Sequence, residues 1–324
     1  LRVDRQTLGR KDEYNYYKWI HDRLAANTPF DRIVRELLTA EGPLAEAPQA
    51  NFYALFQKPG DVASTLSQVF LGVRIGCAEC HHHPFDRWSQ SDYFGMQAFF
   101  QPVSRKKSPL GETLFVQGKG EARNPRTGQA VFAHALGAKV PGAALEGDQR
   151  RQLADWFTSP ENPWFARNLA NRLVAHFFGR GLIEPVDDVR STNPPSNPEL
   201  LEALARLVVE AGFDIHQVIR VITASRTYQL SSHPNATNER DEQNYSRALF
   251  KRLPAEVLLD AVGQTTGLGE KFAGVPSGSR AIQLWDSDVL HYFLKLFGRP
   301  VRKTPCECER NAEATIAQVL HLMN

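Results

Sequence analysis

The pentapeptide Cys77-Ala78-Glu79-Cys80-His81 constrains this chain more than any other segment. Its two cysteines are three positions apart, so one helical turn brings both thiols to the same side of the backbone. Cys-x-x-Cys-His is the sequence in which two thioethers attach a c-type haem and the histidine becomes the proximal iron ligand. The motif therefore predicts haem c bound through Cys77, Cys80 and His81.

The bulk composition is that of a soluble globular protein with room for two domains. The chain has 324 residues, of which 42% are hydrophobic and 23% are charged. Its net charge of +2 gives no basis for nucleic-acid binding. No stretch approaches the ~20 apolar residues that a membrane-spanning helix needs. The chain begins at Leu1 without a charged-then-apolar leader, so we expect any targeting segment to lie outside it.

Apolar periodicity and capping signals predict a mainly α fold with two helical lobes. Helices are expected near residues 28–42, 61–73, 92–100 and 163–178, and after the capping pair Asn197-Pro198. Between the lobes, residues 113–117 and 129–133 predict a small β-hairpin. We therefore expect a helical domain with the CxxCH motif over residues 1–105, a β-rich insertion over 106–147, and a second helical domain over 148–324.

Long strings of the chain resemble two protein families. The motif and its continuation resemble the planctomycete cytochrome-c-related domain through Cys77-Ala78-Glu79-Cys80-His81-His82-His83-Pro84-Phe85-Asp86-Arg87-Trp88, Gln90 and Asp92-Tyr93. The second half resembles the planctomycete-specific domain that usually follows it, through Leu153-Ala154-Asp155-Trp156, Ser159-Pro160-Glu161-Asn162-Pro163, Asn171-Arg172-Leu173, Phe178-Gly179-Arg180-Gly181, Asn193-Pro194-Pro195-Ser196-Asn197-Pro198, Arg252-Leu253-Pro254-Ala255-Glu256 and Cys306-Glu307-Cys308-Glu309-Arg310.

The resemblance carries expectations about location and partners. It implies an extracytoplasmic protein, periplasmic or secreted, from a planctomycete or a related bacterium. Such proteins often carry a true cytochrome domain upstream, so the expected partner is that domain or a separate cytochrome. The resemblance also implies that the first domain is incomplete at its N-terminus. Neither family has an established reaction, so the resemblance implies no enzyme activity.

A second pair of cysteines opens a rival interpretation of the motif. A closed tetrahedral site for zinc or iron could be built from four thiolates, with His81 or His83 replacing one of them: Cys77, Cys80, Cys306 and Cys308. Such a site would join the two lobes and would be structural or hydrolytic. Disulfides between the two pairs are a third reading that an extracytoplasmic location would permit. The sequence leaves haem, metal and disulfide open.

A bound haem needs an apolar cleft and usually a second axial ligand. The aromatic residues that could line a cleft, or could equally be ordinary core, are Phe70, Phe85, Trp88, Phe94, Phe99 and Phe100. The candidate second ligands are Met96, His83, His134, His176 and His291. A hydrogen-bonded packing role is the alternative for each of these histidines.

Acidic residues in the proline-rich loop over residues 179–198 supply a third function class. Glu184, Asp187 and Asp188 lie near Arg180 and Arg190, and they could act as general acid and base on a polysaccharide-derived substrate or form bracing ion pairs. His176 is a further weak catalytic candidate, or a helix cap. The favoured expectation is an electron-transfer module, and the sequence does not decide whether the protein is an enzyme.

Overall fold

The computed structural model describes residue 3 and residues 5–109, 111–143, 147–285, 288–302, 304 and 314–323. Within these residues the fold is mainly α, which confirms the predicted fold class. The helices are α1 (Arg5–Ala25), α2 (Phe30–Leu38), α3 (Asn51–Ala54), α4 (Pro59–Leu66), α5 (Gln90–Ala98), α6 (Arg150–Thr158), α7 (Phe165–Phe178), α8 (Pro198–Glu210), α9 (Ile215–Ala224), α10 (Ala255–Thr266), α11 (Tyr292–Leu296) and α12 (Ile316–Met323). None of these helices combines the length and the apolar character that crossing a membrane requires.

Two small antiparallel sheets supply the β structure. The first has the strand order β1-β3-β2, built from β1 (Gly42–Pro43), β2 (Val103–Ser108) and β3 (Gly111–Val116). The second pairs β4 (Glu121–Arg123) with β5 (Ala130–Phe132). The predicted hairpin between residues 113–117 and 129–133 is therefore wrong in its pairing. Residues 113–116 pair with β2 and β1, whereas β5 pairs with β4.

Backbone contacts divide the chain into two compact units. The larger unit is Lys18–Phe250, and the smaller unit combines Leu1–Tyr17 with Lys251–Asn324. Both small sheets belong to the larger unit. The larger unit therefore contains the CxxCH motif, the β-rich segment and most of the second helical half.

The core of the larger unit joins helices from both halves of the sequence. Helix α2 packs on α6, α4 packs on α5, and α7 packs on α8. Phe30 and Phe165 stack with ring centroids 5.7 Å apart. Arg150 is fully buried and donates to the Ala40 carbonyl at 2.8 Å, while Asp148 lies 2.9 Å from its Nε. Residues more than 100 positions apart thus form one folded body.

The smaller unit has a core of its own. Its buried cluster comprises Ala255, Leu259, Phe272, Ala281, Leu284, Phe293, Leu294 and Phe297. The carboxylate of Asp260 accepts hydrogen bonds from the backbone amides of Ala281 and Ile282 at 2.6 and 3.1 Å. Trp285 packs against Tyr14 and Tyr17, with ring centroids 5.1 and 5.6 Å away. The aromatic contacts tie the first helix to the C-terminal segment of this unit.

Local side-chain bonds explain where several helices begin. Ser89 and Asp92 form a capping box at α5, in which each side chain accepts the other residue's amide hydrogen. Asn197 accepts from the Leu200 amide at 2.9 Å, and Pro198 occupies the first helical position of α8. The predicted start of α8 is confirmed. The α8 cap spans only three residues, which is why the sequence reveals it, whereas α5 begins at Gln90, two residues before its expected start.

Candidate functional site

The CxxCH motif lies on a short surface turn of the larger unit. A π-helical turn, Ser67–Leu71, ends at Gly72, and a 3₁₀ turn, Gly76–Glu79, carries the first part of the motif. Ala78 is fully buried, while Cys77 and Cys80 on either side of it are exposed free thiols. The buried alanine anchors the turn, so both thiols are presented to solvent.

His81 follows the turn with one ring nitrogen already engaged. Its Nδ1 lies 2.7 Å from the carbonyl oxygen of His82. A carbonyl only accepts hydrogen bonds, so this contact places a proton on Nδ1, and a neutral ring then has its lone pair on Nε2. The geometry favours the tautomer in which Nε2 can bind a metal.

His83 makes different hydrogen bonds, all within the loop that follows the motif. Its backbone amide donates to the Trp88 carbonyl at 2.8 Å, and its Nδ1 accepts from the Phe85 amide at 3.3 Å. An Nδ1 that accepts carries no proton, so a neutral ring holds its proton on Nε2. His83 therefore closes the loop over residues 83–88, and its ring is less suited than His81 to ligation.

Helix α5 supports the turn that carries the motif. Gln90, at the start of α5, donates from its side chain to the Glu79 carbonyl at 3.1 Å. Burial raises the pKa of Tyr93, and the nearby charge of Glu79 adds to the shift. Tyr93 therefore stays an uncharged phenol beside the motif turn.

The proline-rich loop of the second half docks on both flanks of the motif. Before the motif, the Val189 amide donates to the Gly72 carbonyl at 2.7 Å. After it, the Thr192 hydroxyl donates to the Phe85 carbonyl at 3.1 Å, and the Arg190 guanidinium lies 5.6 Å from the Phe85 ring centroid. The structure thus brings together the two segments that the sequence singled out, although they are about 100 residues apart.

The candidate catalytic carboxylates of this loop all have structural partners. Asp187 is buried and pairs with Arg74 at 2.5 Å. Asp188 lies 3.3 Å from Arg190. Glu184 is exposed and accepts from the backbone amide of Gly181 at 2.5 Å. Two ion pairs and one hydrogen bond to the backbone therefore brace the loop.

The aromatic residues near the motif mostly belong to the core. Those that are nearly inaccessible to solvent are Phe70, Trp88, Phe94, Phe99 and Phe100. Phe85 differs, because 61% of it is exposed. Arg87 covers the Trp88 ring at 4.8 Å and the Trp164 ring at 5.6 Å. The motif loop therefore offers one exposed apolar side chain, that of Phe85.

The remaining candidate ligands are dispersed over the fold. Met96 is fully buried in α5, and His134 is buried with its Nδ1 2.8 Å from the Phe132 carbonyl. His176 packs edge-on against Phe177 near the end of α7. His291 belongs to the smaller unit and lies 3.4 Å from Glu270. Across the described ranges, no group of three or more His, Cys, Asp or Glu residues could hold a metal ion. Cys306 and Cys308 lie outside the described residues.

Sequence reasoning missed the residues that attach the motif to the second half. Arg74 and Gln68 contact Asp187 of the proline-rich loop. Thr192 of that loop contacts Phe85. The local sequence around these three residues does not distinguish them from ordinary surface residues. The one available signal was the pairing of acids and arginines in residues 180–190, which predicts ion pairs without naming their partners.

Comparisons with known proteins agree with the two resemblances. Residues 3–105 match the model of PSCyt2, a protein of unknown function (DUF1549), and residues 149–324 match that of PSD1, a protein of unknown function (DUF1553). No curated protein and no solved structure matches the chain. The order of the two matches is that of the planctomycete cytochrome-c-related domain and its partner. The chain therefore belongs to the PSD1 family, with a PSCyt2 domain preceding the PSD1 match.

Proposed function

We propose that this protein is an extracytoplasmic electron-transfer module in which a c-type haem is attached to Cys77 and Cys80, with His81 as the proximal ligand. The observation that carries the proposal is the motif turn itself. It presents two exposed free thiols three positions apart, followed at once by an imidazole whose Nε2 holds the lone pair. Haem iron supplies one-electron transfer when it is bound in this way.

The side chains of Cys77, Cys80 and His81 fit the attachment of a c-type haem. Two exposed thiols can both form thioethers, and within the described part of the chain neither is bonded to another cysteine. The His82 carbonyl holds the His81 ring through Nδ1, which orients the ring and leaves Nε2 for the iron. The proline-rich loop braces both flanks of the turn, so the attachment residues stand on a supported segment rather than a free loop.

The exposure of Cys77 and Cys80 also suits electron exchange with a partner protein. A group attached to these thiols lies at the protein surface, where a partner cytochrome or an upstream cytochrome domain can approach it. Phe85 is exposed beside the motif, and the partly buried Arg190 guanidinium lies 5.6 Å from its ring centroid. The Phe85 ring supplies an apolar contact next to the attachment site.

One observation favours a second candidate, a zinc or iron site that uses Cys77 and Cys80. The aromatic residues around the motif are mostly in the core, and a small ion needs less apolar cover than a porphyrin does. Such a site would complete its ligand set from His81, His83, Cys306 and Cys308, and it would be structural or hydrolytic.

An absorption spectrum of the full chain, exported in a host with c-type haem maturation machinery, distinguishes the two candidates. We expect a Soret band and a haem stain that survives denaturation. The double variant Cys77→Ser/Cys80→Ser should lose both signals. His81→Ala should alter the spectrum, whereas the matched control His82→Ala keeps the backbone carbonyl and should not.

The same preparations identify the rival outcomes. A colourless wild type with one bound zinc or iron, lost in Cys306→Ser/Cys308→Ser, would establish the metal site and end the haem proposal. A colourless, metal-free protein whose Cys77 and Cys80 resist a thiol reagent would establish disulfides. Fractionation of the source bacterium tests the location, because a protein recovered from the cytoplasm contradicts the extracytoplasmic assignment.

A further inference from the structure

We propose that a cavity between helices α7, α8 and α9 binds an uncharged small molecule that has an apolar body and one hydrogen-bonding end. The cavity has a volume of about 370 Å³ and lies entirely in the larger unit. It is a different site from the CxxCH turn, and the proposal does not depend on haem.

The cavity has the shape and size of a ligand site. Val174 and Phe178 come from α7, Leu204 from α8 and Ile222 from α9, so three helices build its floor. Pockets that bind small molecules measure about 300–1,000 Å³ and are mostly apolar with a few polar groups. The floor is made of helices packed on one another, so it is formed before any ligand arrives.

The chemistry of the wall defines the ligand. Among the described residues that line the cavity, none carries a formal charge. Its polar rim consists of hydroxyl and amide side chains: Ser196, Asn197, Ser225, Thr227, Gln243 and Asn244. A charged ligand would lose its hydration without gaining an ion partner, which is costly. A neutral alcohol, carbonyl or amide on an aliphatic or aromatic body matches both the floor and the rim.

Tyr245 gives independent support for a binding role. Its backbone φ is 54°, in the left-handed region that a bulky residue rarely adopts. Its ring stands edge-on to Phe178, with centroids 5.4 Å apart, and its hydroxyl donates to the Arg180 carbonyl at 3.1 Å. Backbone conformations of this kind cluster at ligand sites, where the surrounding structure maintains them. Here that conformation places the Tyr245 side chain in the cavity wall.

Two apolar residues at the mouth allow the site to be blocked. Leu200 and Val221 line the cavity yet are 41% and 46% exposed. A large side chain at either position fills the entrance without replacing a buried residue. Val140 is 54% exposed and is not among the lining residues, so it serves as a matched control.

The test uses a neutral fluorescent probe, N-phenyl-1-naphthylamine, and its anionic relative 1-anilinonaphthalene-8-sulfonate, with the full chain. We expect saturable one-to-one binding of the neutral probe and about tenfold weaker binding of the anion. Val221→Trp should weaken binding of the neutral probe about tenfold, and Val140→Trp should leave it unchanged. Leu200→Trp replaces Val221→Trp if circular dichroism shows that the first variant does not fold.

Several results would overturn the proposal. These are the absence of saturable binding, equal binding of the anionic probe, or equal losses in Val221→Trp and Val140→Trp. Displacement of the neutral probe by glucose would assign the cavity to sugars, which lack an apolar body, and would equally refute it.

Discussion

The guanidinium of Arg74 lies 2.5 Å from the carboxylate of Asp187, whose side chain is only 1% exposed. The side-chain amide of Gln68 donates to the same carboxylate at 2.6 Å. Arg74 precedes Cys77 by three residues, and Asp187 stands in the proline-rich loop. This ion pair, whose carboxylate is buried and whose guanidinium is partly exposed, therefore attaches the segment that leads into the motif turn to the second half of the larger unit.

Asp187→Ala should destabilise the protein strongly. It removes the buried carboxylate that accepts hydrogen bonds from Arg74 and Gln68, and losing hydrogen bonds to a charged group typically costs about 2 kcal/mol. Urea denaturation measures the change in the free energy of unfolding. The control is Asp155→Ala, because Asp155 pairs with Arg35 at the surface with its side chain 67% exposed. Exposed pairs contribute about 1 kcal/mol or less, so equal losses in the two variants would contradict a bracing role for Asp187.

Gly72→Ala should also destabilise the protein, at the point where the loop crosses the chain before the motif. Gly72 has φ 71°, and an added Cβ would lie 2.6 Å from Val189 Cγ2 and 2.8 Å from Asn168 Oδ1. The left-handed conformation and the two close contacts together should cost about 2 kcal/mol or more. Gly76→Ala is the matched control, because nothing lies within 4 Å of its added Cβ. We expect that control to stay within about 0.5 kcal/mol of the wild type in the same denaturation experiment. If the Gly72 variant were as stable as the control, Val189 and Asn168 would lie farther from Gly72 than the structure shows.

Alkaline titration should reveal Tyr245 as a late-ionising phenol. Burial raises its pKa to about 12, above the ordinary value of 10.0. Because the folded state disfavours the phenolate, this contribution to stability is complete below about pH 10 and is lost as the pH rises through 12. The difference in absorbance at 295 nm between wild type and Tyr245→Phe gives the titration directly. A midpoint near pH 10 would contradict the burial of this side chain.

The start of helix α8 was a part of the fold that local sequence revealed, because its cap joins Asn197 to Leu200. The capping box that joins Ser89 to Asp92 was not predicted, and it starts α5 at Gln90, two residues before the expected start. Both interactions span three residues, so their chemistry is complete within the printed sequence. The β-rich insertion expected over residues 106–147 likewise marked most of the small sheets, because turn residues and β-formers are recognised locally.

Strand partners were not recoverable in the same way. The segment at residues 113–116 pairs with β2 and with Gly42–Pro43, about 70 residues earlier in the chain. Local propensity marks a strand but does not say which distant segment approaches it. The aromatic residues near the motif posed the same problem, since the sequence could not separate a cleft from a core and the structure buries most of them.

The amino-acid sequence alone determined the identity and spacing of Cys77, Cys80 and His81, the mainly helical fold and the family to which the chain belongs. Only the tertiary structure decided that Asp187 is buried against Arg74, 113 positions away, and that Thr192 meets Phe85 beside the motif. The physical reason is the range of the interactions involved. Caps and motifs act within one turn of the backbone, whereas burial and ion pairing depend on segments that become neighbours only when the whole unit has folded.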